Sequence, residues 1–372
     1  MQLTADELIQ LGKSVRSVCD QLATEERIRA IAYAGDGTDT ELWQVLTQQI
    51  GITAIPLTEA GSGALALGVV AHELGRALAP VPFLSSAVLA AGLLSEVPDP
   101  PVDTLAALAA GERTAAAVLG EDGAVWAAGA RTITASRGGG GGWTLAGTAR
   151  HVLGAMAAQD LVVVATPSSQ SDEPAVFLLD ADADGVTRKQ ERVLDPTRPM
   201  ASVTFAASPA RRISGPDSAA AISRAVYRSI AVLSAEQVGS HERVLELAVD
   251  YARTRQQFGR PIGSFQAIKH RCADMLVSLE WSRSASQAAL EAAGNIPFGS
   301  AAELDWRANM AKAVCSEGLR EAAHANLQIH GGIGFTWEDA AHLYLRRART
   351  AEVVFGGPAA HWGQLRGEAG LL

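Results

Sequence analysis

The first third of the 372-residue chain carries apolar residues at helical spacing. Thr4 is followed three residues later by Glu7, the pattern of a capping box that begins a helix. A second strong helix is predicted over residues 64–79, where Pro80 ends it because proline cannot continue the hydrogen-bond ladder. We therefore predict a helical N-terminal domain over residues 1–112.

The middle of the chain has short apolar runs separated by turn residues, a pattern typical of β-strands. The predicted strands cover residues 114–119, 160–165, 175–179 and 201–205. Five consecutive glycines, residues 138–142, lie between two further strand-like segments. They predict a hairpin tip rather than a phosphate-binding loop, because no Lys-Ser/Thr pair or helix follows. We predict a β-sandwich or β-barrel domain over residues 113–215.

Helical spacing returns in the last part of the chain and continues close to its end. The predicted helices cover residues 217–255, 264–293, 300–328 and, more briefly, 337–350. Their lengths favour a four-helix bundle over residues 216–372. The fold class predicted for the whole chain is α+β, mostly α, in the order helical domain, β-domain and helical bundle.

Composition and charge narrow the class of protein. A hydrophobic content of 48% with 19% charged residues is typical of a globular protein. A net charge of −9 without a Lys/Arg run argues against nucleic acid or an anionic membrane as the main partner. No apolar run is long enough to span a bilayer, and no export signal is recognisable. Cys19, Cys272 and Cys315 form no CxxC pair, so we expect no disulfide framework and no metal site, and a cytoplasmic location.

Two C-terminal segments carry candidate binding chemistry. In residues 251–275, Arg255 lies where a helix is broken by Gly259, and a guanidinium that projects from such a turn suits a pyrophosphate. In residues 328–335, glycines allow the backbone to approach a flat or charged ligand closely. The plainer alternative is a surface cation on a helix and a helix-to-helix turn.

These two segments resemble the two signature motifs of the acyl-CoA dehydrogenase family. Residues 73–83 and 337–347 are similar to a branch common in actinobacteria, many of whose members oxidise steroid side-chain or other bulky CoA thioesters. The resemblance implies FAD as cofactor, an acyl-CoA substrate and an electron-transferring flavoprotein as electron acceptor. In the family the matching residues hold the FAD of the neighbouring subunit. The implied flavin contacts here are Arg255, Gln257, Phe258, Gln266, Gln328, Gly331 and Gly332.

The catalytic base departs from the family pattern. Dehydrogenation needs a carboxylate to take the α-proton while hydride leaves the β-carbon for the flavin. The usual position in the family holds Ala360 in this chain, and an alternative helical position holds Ser229. Glu236 lies seven residues after Ser229, two helical turns along the same face, and is our candidate base. The alternatives are a structural or solvated Glu236, and a base supplied by another chain.

The β-domain departs as well, since the flavin-contacting loop and strand of the family correspond here to residues 120–124 and 151–153, which lack its pattern. The half of the flavin site that a chain builds for itself is therefore weak, and the half it lends its neighbour is intact. The leading hypothesis is an acyl-CoA dehydrogenase that forms a trans-2-enoyl-CoA, as a homotetramer or an α2β2 heterotetramer. The rival is a non-catalytic partner subunit, and a third possibility is flavin-dependent oxygenation or nitroalkane chemistry. His330 and His342 are interpreted as polar members of helix ends.

Overall fold

The structure is a computed structural model that describes residues 3–55, 62–120, 132–138, 141–168, 173–215, 218–294 and 301–368. Over these residues a layer of short helices and a bundle of long helices enclose a β-barrel. No helix in the described ranges is both long enough and apolar enough to cross a membrane.

The N-terminal helices follow the predicted pattern. Glu7 N donates to Thr4 Oγ1 at 3.3 Å and Thr4 N donates to Glu7 Oε2 at 2.8 Å, so the predicted capping box is present. The helices are α1 (Ala5–Leu22), α2 (Glu25–Ala34), α3 (Thr40–Val45), α4 (Gly63–Ala77), α5 (Ala91–Glu96) and α6 (Val102–Ala109), with π-helical turns at Leu46–Ile50 and Phe83–Ala90. The helix predicted over residues 64–79 ends slightly earlier, because Leu78 takes a left-handed conformation (φ 51°) before Pro80.

Within the described ranges of the middle region, seven strands form one sheet: β1 (Ala115–Val118), β2 (Ile133–Arg137), β3 (Trp143–Leu153), β4 (Asp160–Pro167), β5 (Ala175–Asp180), β6 (Val186–Gln190) and β7 (Met200–Arg212). Pairings run from β4 through β2, β3, β7 and β5 and return to β4, so these strands close into a barrel. Ile133, Leu145 and Phe177 are fully buried inside it. β2 and β3 pair antiparallel, as the hairpin prediction required, although Gly139 and Gly140 lie outside the described residues.

The C-terminal region contains α7 (Ser218–Thr254), α8 (Gln266–Gly294), α9 (Ala301–His330), α10 (Ala341–Val353) and α11 (Pro358–Glu368). The first four match the predicted helices. The last was not predicted, because it is short and interrupted by Gly363 and Gly367. Tertiary contacts hold it instead, since His361 is fully buried and its Nδ1 lies 2.6 Å from Asn309 Oδ1 on α9.

The helical layer joins the bundle through direct backbone contact between α4 and α7. A Cβ added to Gly239 of α7 would lie 1.9 Å from the carbonyl oxygen of His72, and one added to Gly75 of α4 would lie 2.2 Å from that of Glu236. Only glycine permits this approach. Fully buried Leu67 and Ile230 belong to the apolar core that α4 and α7 share.

Beside this contact lies an ion-pair network that we call the interdomain clamp; its members are Arg16, His72, Glu73, Arg76, Glu242, Glu246 and Arg283. His72 stands at its centre, with Nδ1 3.2 Å from Glu73 Oε1 and Nε2 3.2 Å from Glu242 Oε2. Burial alone would lower the pKa of His72, but the hydrogen bonds to Glu242 and Glu73 outweigh burial and raise it. The hydrogen bond with His72 is the main reason that the pKa of Glu242 falls to about 2.

Replacing His72 by Ala should destabilise the protein in a pH-dependent way. The native state holds the His72 proton more tightly than the unfolded chain does, so the stabilisation is fully present below the unfolded pKa of about 6.5 and is lost as pH rises through the higher native value. We expect His72→Ala to lower the free energy of unfolding by about 1 to 2 kcal/mol at pH 6 and by less at pH 9. His324→Ala, an exposed histidine of α9, is the matched control. Equal losses for His72→Ala at both pH values, measured by urea denaturation, would contradict the assignment.

Candidate functional site: an outer flavin surface and an interdomain cleft

A tight hairpin presents Arg255 and its neighbours at the end of α7. Strands β8 (Gln256–Gln257) and β9 (Arg260–Pro261) pair antiparallel, and the two residues between them, Phe258 and Gly259, have φ of 53° and 73°. Positive φ at both positions is characteristic of the type I′ turn that closes two-residue hairpins. The turn projects the Phe258 ring into solvent, where it is 90% exposed. Sequence therefore predicted the break after α7 correctly, and the hairpin is the structure that forms there.

The second glycine-containing segment begins at the end of α9. Gln328 is exposed, and residues Gly331–Phe335 form a 3-10 turn. Gly331 has a φ of 62°, which favours glycine, whereas a Cβ added to Gly332 would meet no atom within 4 Å. No packing contact among the described residues thus requires Gly332. The open space over this backbone is available to a ligand outside the chain.

Tyr251 and His330 join the two segments. Their rings stack with centroids 4.2 Å apart and planes 22° from parallel, which brings the end of α7 to the end of α9. His330 is buried, and its Nδ1 lies 2.9 Å from the Asn326 carbonyl oxygen one turn earlier. The stack fixes the spatial relation between Arg255 and the Gly331–Phe335 turn.

All seven implied flavin contacts are exposed; we call this set, Arg255, Gln257, Phe258, Gln266, Gln328, Gly331 and Gly332, the outer flavin surface. Among the described residues no carboxylate pairs with Arg255, so its guanidinium remains free for an external anion. A free guanidinium, amide side chains and open glycine backbone match the phosphate oxygens and the polar groups of a dinucleotide. These residues therefore fit the polar part of a dinucleotide that approaches from outside the chain.

Leu153, from the counterpart of the family's flavin-contacting strand, lies among the described residues where the helical layer, the barrel and the bundle meet. The cavity there has a volume of only about 50 Å³, and its walls include Ser85, Leu153, Gly154 and Glu236. A Cβ on Gly154 would lie 2.4 Å from Ser85 Oγ, which shows how closely the barrel approaches the helical layer. Ligand sites usually enclose roughly 300–1,000 Å³. This interdomain cleft does not fit a three-ring flavin.

Three buried charged side chains line the cleft and pair with one another or with the buried Asp195 behind it; we call Asp195, Arg198, Glu236 and Arg347 the cleft clasp. Arg347 Nη1 donates to Glu236 Oε1 at 2.8 Å and Arg347 Nε donates to Asp195 Oδ2 at 2.6 Å, while Arg198 Nη2 donates to the same Glu236 oxygen. Burial alone would lower the pKa of Arg347, but Asp195 and Glu236 outweigh it and raise the pKa. Two cations and two anions thus neutralise each other within the clasp.

Glu236, the candidate base, therefore lies in an ion-paired setting. It is the only carboxylate among the described residues that line the cleft, and none of them donates a hydrogen bond to its Oε2. Ser229 is fully buried and donates to the Ala225 carbonyl at 2.7 Å, whereas Ala360 is exposed on α11. Neither of these other two positions contributes a polar group to the cleft.

Residues 151–153, the counterpart of the family's flavin-contacting strand, carry no hydroxyl side chain. In residues 151–153, His151 takes a φ of 52° at an irregularity of β3, and its Nε2 lies 3.2 Å from Glu191 Oε2. Val152 and Leu153 follow with apolar side chains. Of residues 120–124, only Gly120 lies within the described part of the chain.

Sequence reasoning missed Lys312, which is fully buried on α9. Its Nζ donates to the carbonyl oxygens of Ala351 and Glu352 at 3.0 and 2.9 Å and to Ser316 Oγ at 3.0 Å. Burial lowers the pKa of Lys312 to about 7. Lys312 thereby fixes the last turn of α10, one helical turn after Arg347. The sequence pattern that could have identified it is a single lysine within an apolar run of α9.

Comparisons with known proteins agree with this geometry. A family model described as acyl-CoA dehydrogenase, C-terminal domain, matches residues 220–366. Acyl-CoA dehydrogenase IpdE2 of Mycobacterium tuberculosis is 32% identical over 95% of this chain and 94% of its own length. The chain belongs to the acyl-CoA dehydrogenase family. It is accordingly a flavoprotein oxidoreductase of a family whose cofactor is FAD, and the predicted family is confirmed.

Solved structures confirm the fold class and the actinobacterial, steroid-type branch of the family. The Tcur3481-Tcur3483 steroid ACAD G363A variant is 29% identical with a TM-score of 0.85, and 99% of each chain is covered. The ChsE4-ChsE5 complex from Mycobacterium tuberculosis is 28% identical with a TM-score of 0.85 over 100% of this chain and 99% of the other. Butyryl-CoA dehydrogenase of Megasphaera elsdenii, 22% identical with a TM-score of 0.83 and full coverage of both chains, shares the fold.

Removing Arg347 should test the clasp. Arg347→Met leaves the Asp195 and Glu236 carboxylates buried without their main cation, and breaking a buried ion pair on one side costs about 3 to 5 kcal/mol. We expect urea denaturation to show a loss of about that size. Arg349→Met is the matched control, because Arg349 is 48% exposed on the same helix and its partner Glu352 keeps a second cation, Arg320. If the two variants lose the same stability, the clasp does not hold the barrel to the bundle.

Proposed function

We propose that this chain is the flavin-completing subunit of an α2β2 acyl-CoA dehydrogenase, in which a homologous subunit carries out catalysis. The assembly oxidises a bulky CoA thioester to its trans-2-enoyl form and passes electrons to an electron-transferring flavoprotein. Two similar solved structures support this choice, since one is a complex named for ChsE4 and ChsE5 and the other is named for Tcur3481 and Tcur3483.

The contrast between the two half-sites carries the proposal. The outer flavin surface is exposed and has a free guanidinium at Arg255, whereas the interdomain cleft is closed around Glu236 and has a volume of about 50 Å³. A subunit that lends residues to a partner's cofactor needs the first half-site and not the second. A subunit that binds and oxidises its own substrate needs both.

The exposed face of α8 supports assembly through the bundle. Leu276, Val277 and Trp281 are 48%, 53% and 69% exposed. Apolar side chains clustered at this exposure on one helix usually mark a protein interface, and aromatic residues are enriched there. We call these three side chains the α8 apolar face. It is the part of the bundle that we assign to contact with another subunit.

Four residues of the outer flavin surface have distinct roles in this scheme. Arg255 binds the diphosphate, since its guanidinium is charged at any physiological pH. Gly331 and Gly332 let the backbone lie against the cofactor, and Phe258 covers it from the hairpin. Bound FAD supplies the hydride acceptor for the thioester β-carbon. The catalytic homologue supplies the carboxylate that takes the α-proton.

Flavin content should depend on this surface in the assembly. When the chain is co-purified with its catalytic homologue, we expect about one FAD for every two chains, and a native mass of a heterotetramer. Arg255→Ala or Gly332→Val should lower the flavin content several-fold while the melting temperature of the chain stays unchanged. Arg253→Ala is the matched control, because Arg253 is 76% exposed two residues away. A chain that binds one FAD per copy when purified alone would refute the partner role.

A second candidate function keeps Glu236 as the base. It is favoured by one observation, that Glu236 is the cleft carboxylate and that its Oε2 accepts no hydrogen bond from the described residues. In that case a cleft that opens around the clasp would bring Oε2 to the substrate α-carbon.

Glu236→Gln separates the two functions. Glutamine keeps the size of the side chain but cannot take a proton, so flavin bleaching by an acyl-CoA should slow by at least about 100-fold if Glu236 is the base. In the partner role, the variant assembly should bleach at the parental rate once its flavin content matches. Flavin absorbance before substrate addition is the internal control for assembly.

A further inference from the structure

A groove of about 760 Å³ lies between α1, α4, α7 and α8, apart from both half-sites described above. Ala235 and Val238 of α7 line it, whereas Glu236 between them faces the cleft. The groove therefore uses a different face of α7. Its volume is within the range of roughly 300–1,000 Å³ that small-molecule sites occupy.

The floor of the groove is apolar and its rim is polar. Leu65, Val69, Val238 and Leu290 form much of the floor. Gly68 allows Leu290 to lie close to α4, since a Cβ there would be 2.4 Å from Leu290 Cδ1. A site of this form suits a ligand with a long or bulky apolar body and one polar end.

The charged side chains at the rim indicate which polar group the ligand should carry. Lys13, Arg16 and Arg283 line the groove against a single carboxylate, Glu73. Arg16 pairs with Glu73, and Arg283 pairs with two carboxylates outside the groove, so their charges are largely compensated. Lys13 is exposed and has no ion-pair partner in the described part of the chain. Its ammonium group remains to pair with a ligand, in a protein whose net charge is −9.

We propose that this groove binds an amphipathic carboxylate, with the carboxylate at Lys13 and the apolar body along the floor. The ligand is held by α1 of the helical layer and α8 of the bundle at once. Binding therefore stabilises the contact between these two parts of the fold. The proposal is independent of the partner role, because the groove shares no residue with the outer flavin surface or the cleft clasp.

Two probes of equal chain length and opposite charge test the site: dodecanoate and dodecyltrimethylammonium, titrated calorimetrically below their micelle concentrations into the protein in its purified assembly. The parent should bind dodecanoate at least about 10-fold more tightly, a difference of about 1.4 kcal/mol. Lys13→Glu should weaken dodecanoate binding by at least about 10-fold and should not weaken the cation. Ser284→Trp, which places an indole in the groove at an exposed position of α8, should weaken both probes.

Lys189→Glu on β6 is the matched charge control, because Lys189 is an exposed lysine of the barrel. It should leave both affinities unchanged, and melting temperatures within about 2 °C of the parent should verify that each variant is folded. The proposal is overturned if the parent binds no dodecanoate, if it binds both probes equally, or if Lys189→Glu weakens dodecanoate as much as Lys13→Glu. Parental affinity in Ser284→Trp would likewise exclude the groove as the site.

Discussion

The direct backbone contact between α4 and α7 is the constraint on which the rest of the structure depends. Gly75 and Gly239 bring the two helices so close that no side chain fits between them. This contact places His72 against Glu242, turns Glu236 toward the cleft, and sets the width of the groove on the other face of α7. Bulky residues at these two positions would separate the helices. The His72–Glu242 contact, the orientation of Glu236 and the width of the groove would then all change.

The predictable parts of the fold were those encoded by neighbours in sequence. The capping box joins Thr4 to Glu7, and the β2–β3 hairpin joins residues a few positions apart. The long helices are predicted by the periodicity of apolar residues within each segment. Helix α11 was not predicted, because the contact of His361 with α9 stabilises it and its own hydrophobic pattern does not identify it. Local signals cannot report a helix that tertiary contacts maintain.

In the candidate site too, local segments could be predicted from sequence, and contacts between distant residues could not. Each half of the outer flavin surface is a short segment, so its position on the chain could be predicted from sequence, and its contact with flavin stays a prediction. The Tyr251–His330 stack that joins the two halves is visible only in the structure. Glu236 was placed correctly on α7, but its apolar sequence neighbours gave no hint of its cations. Arg198 lies 38 residues away and Arg347 lies 111 residues away along the chain. Charges that meet only when α7, α10 and the barrel pack together cannot be recognised from their sequence neighbours.

The α8 apolar face has a consequence for how a cell must handle this chain. A copy of the chain without a binding partner exposes Leu276, Val277 and Trp281 to water, together with the ring of Phe258. Exposed apolar surface of this kind is what chaperones hold and proteases recognise. Copies of this chain made in excess of a binding partner would therefore aggregate or be degraded, and would not accumulate as free folded protein. If the partner is a second chain, as proposed, the surface favours production of the two chains in equal amounts, most simply from one shared message.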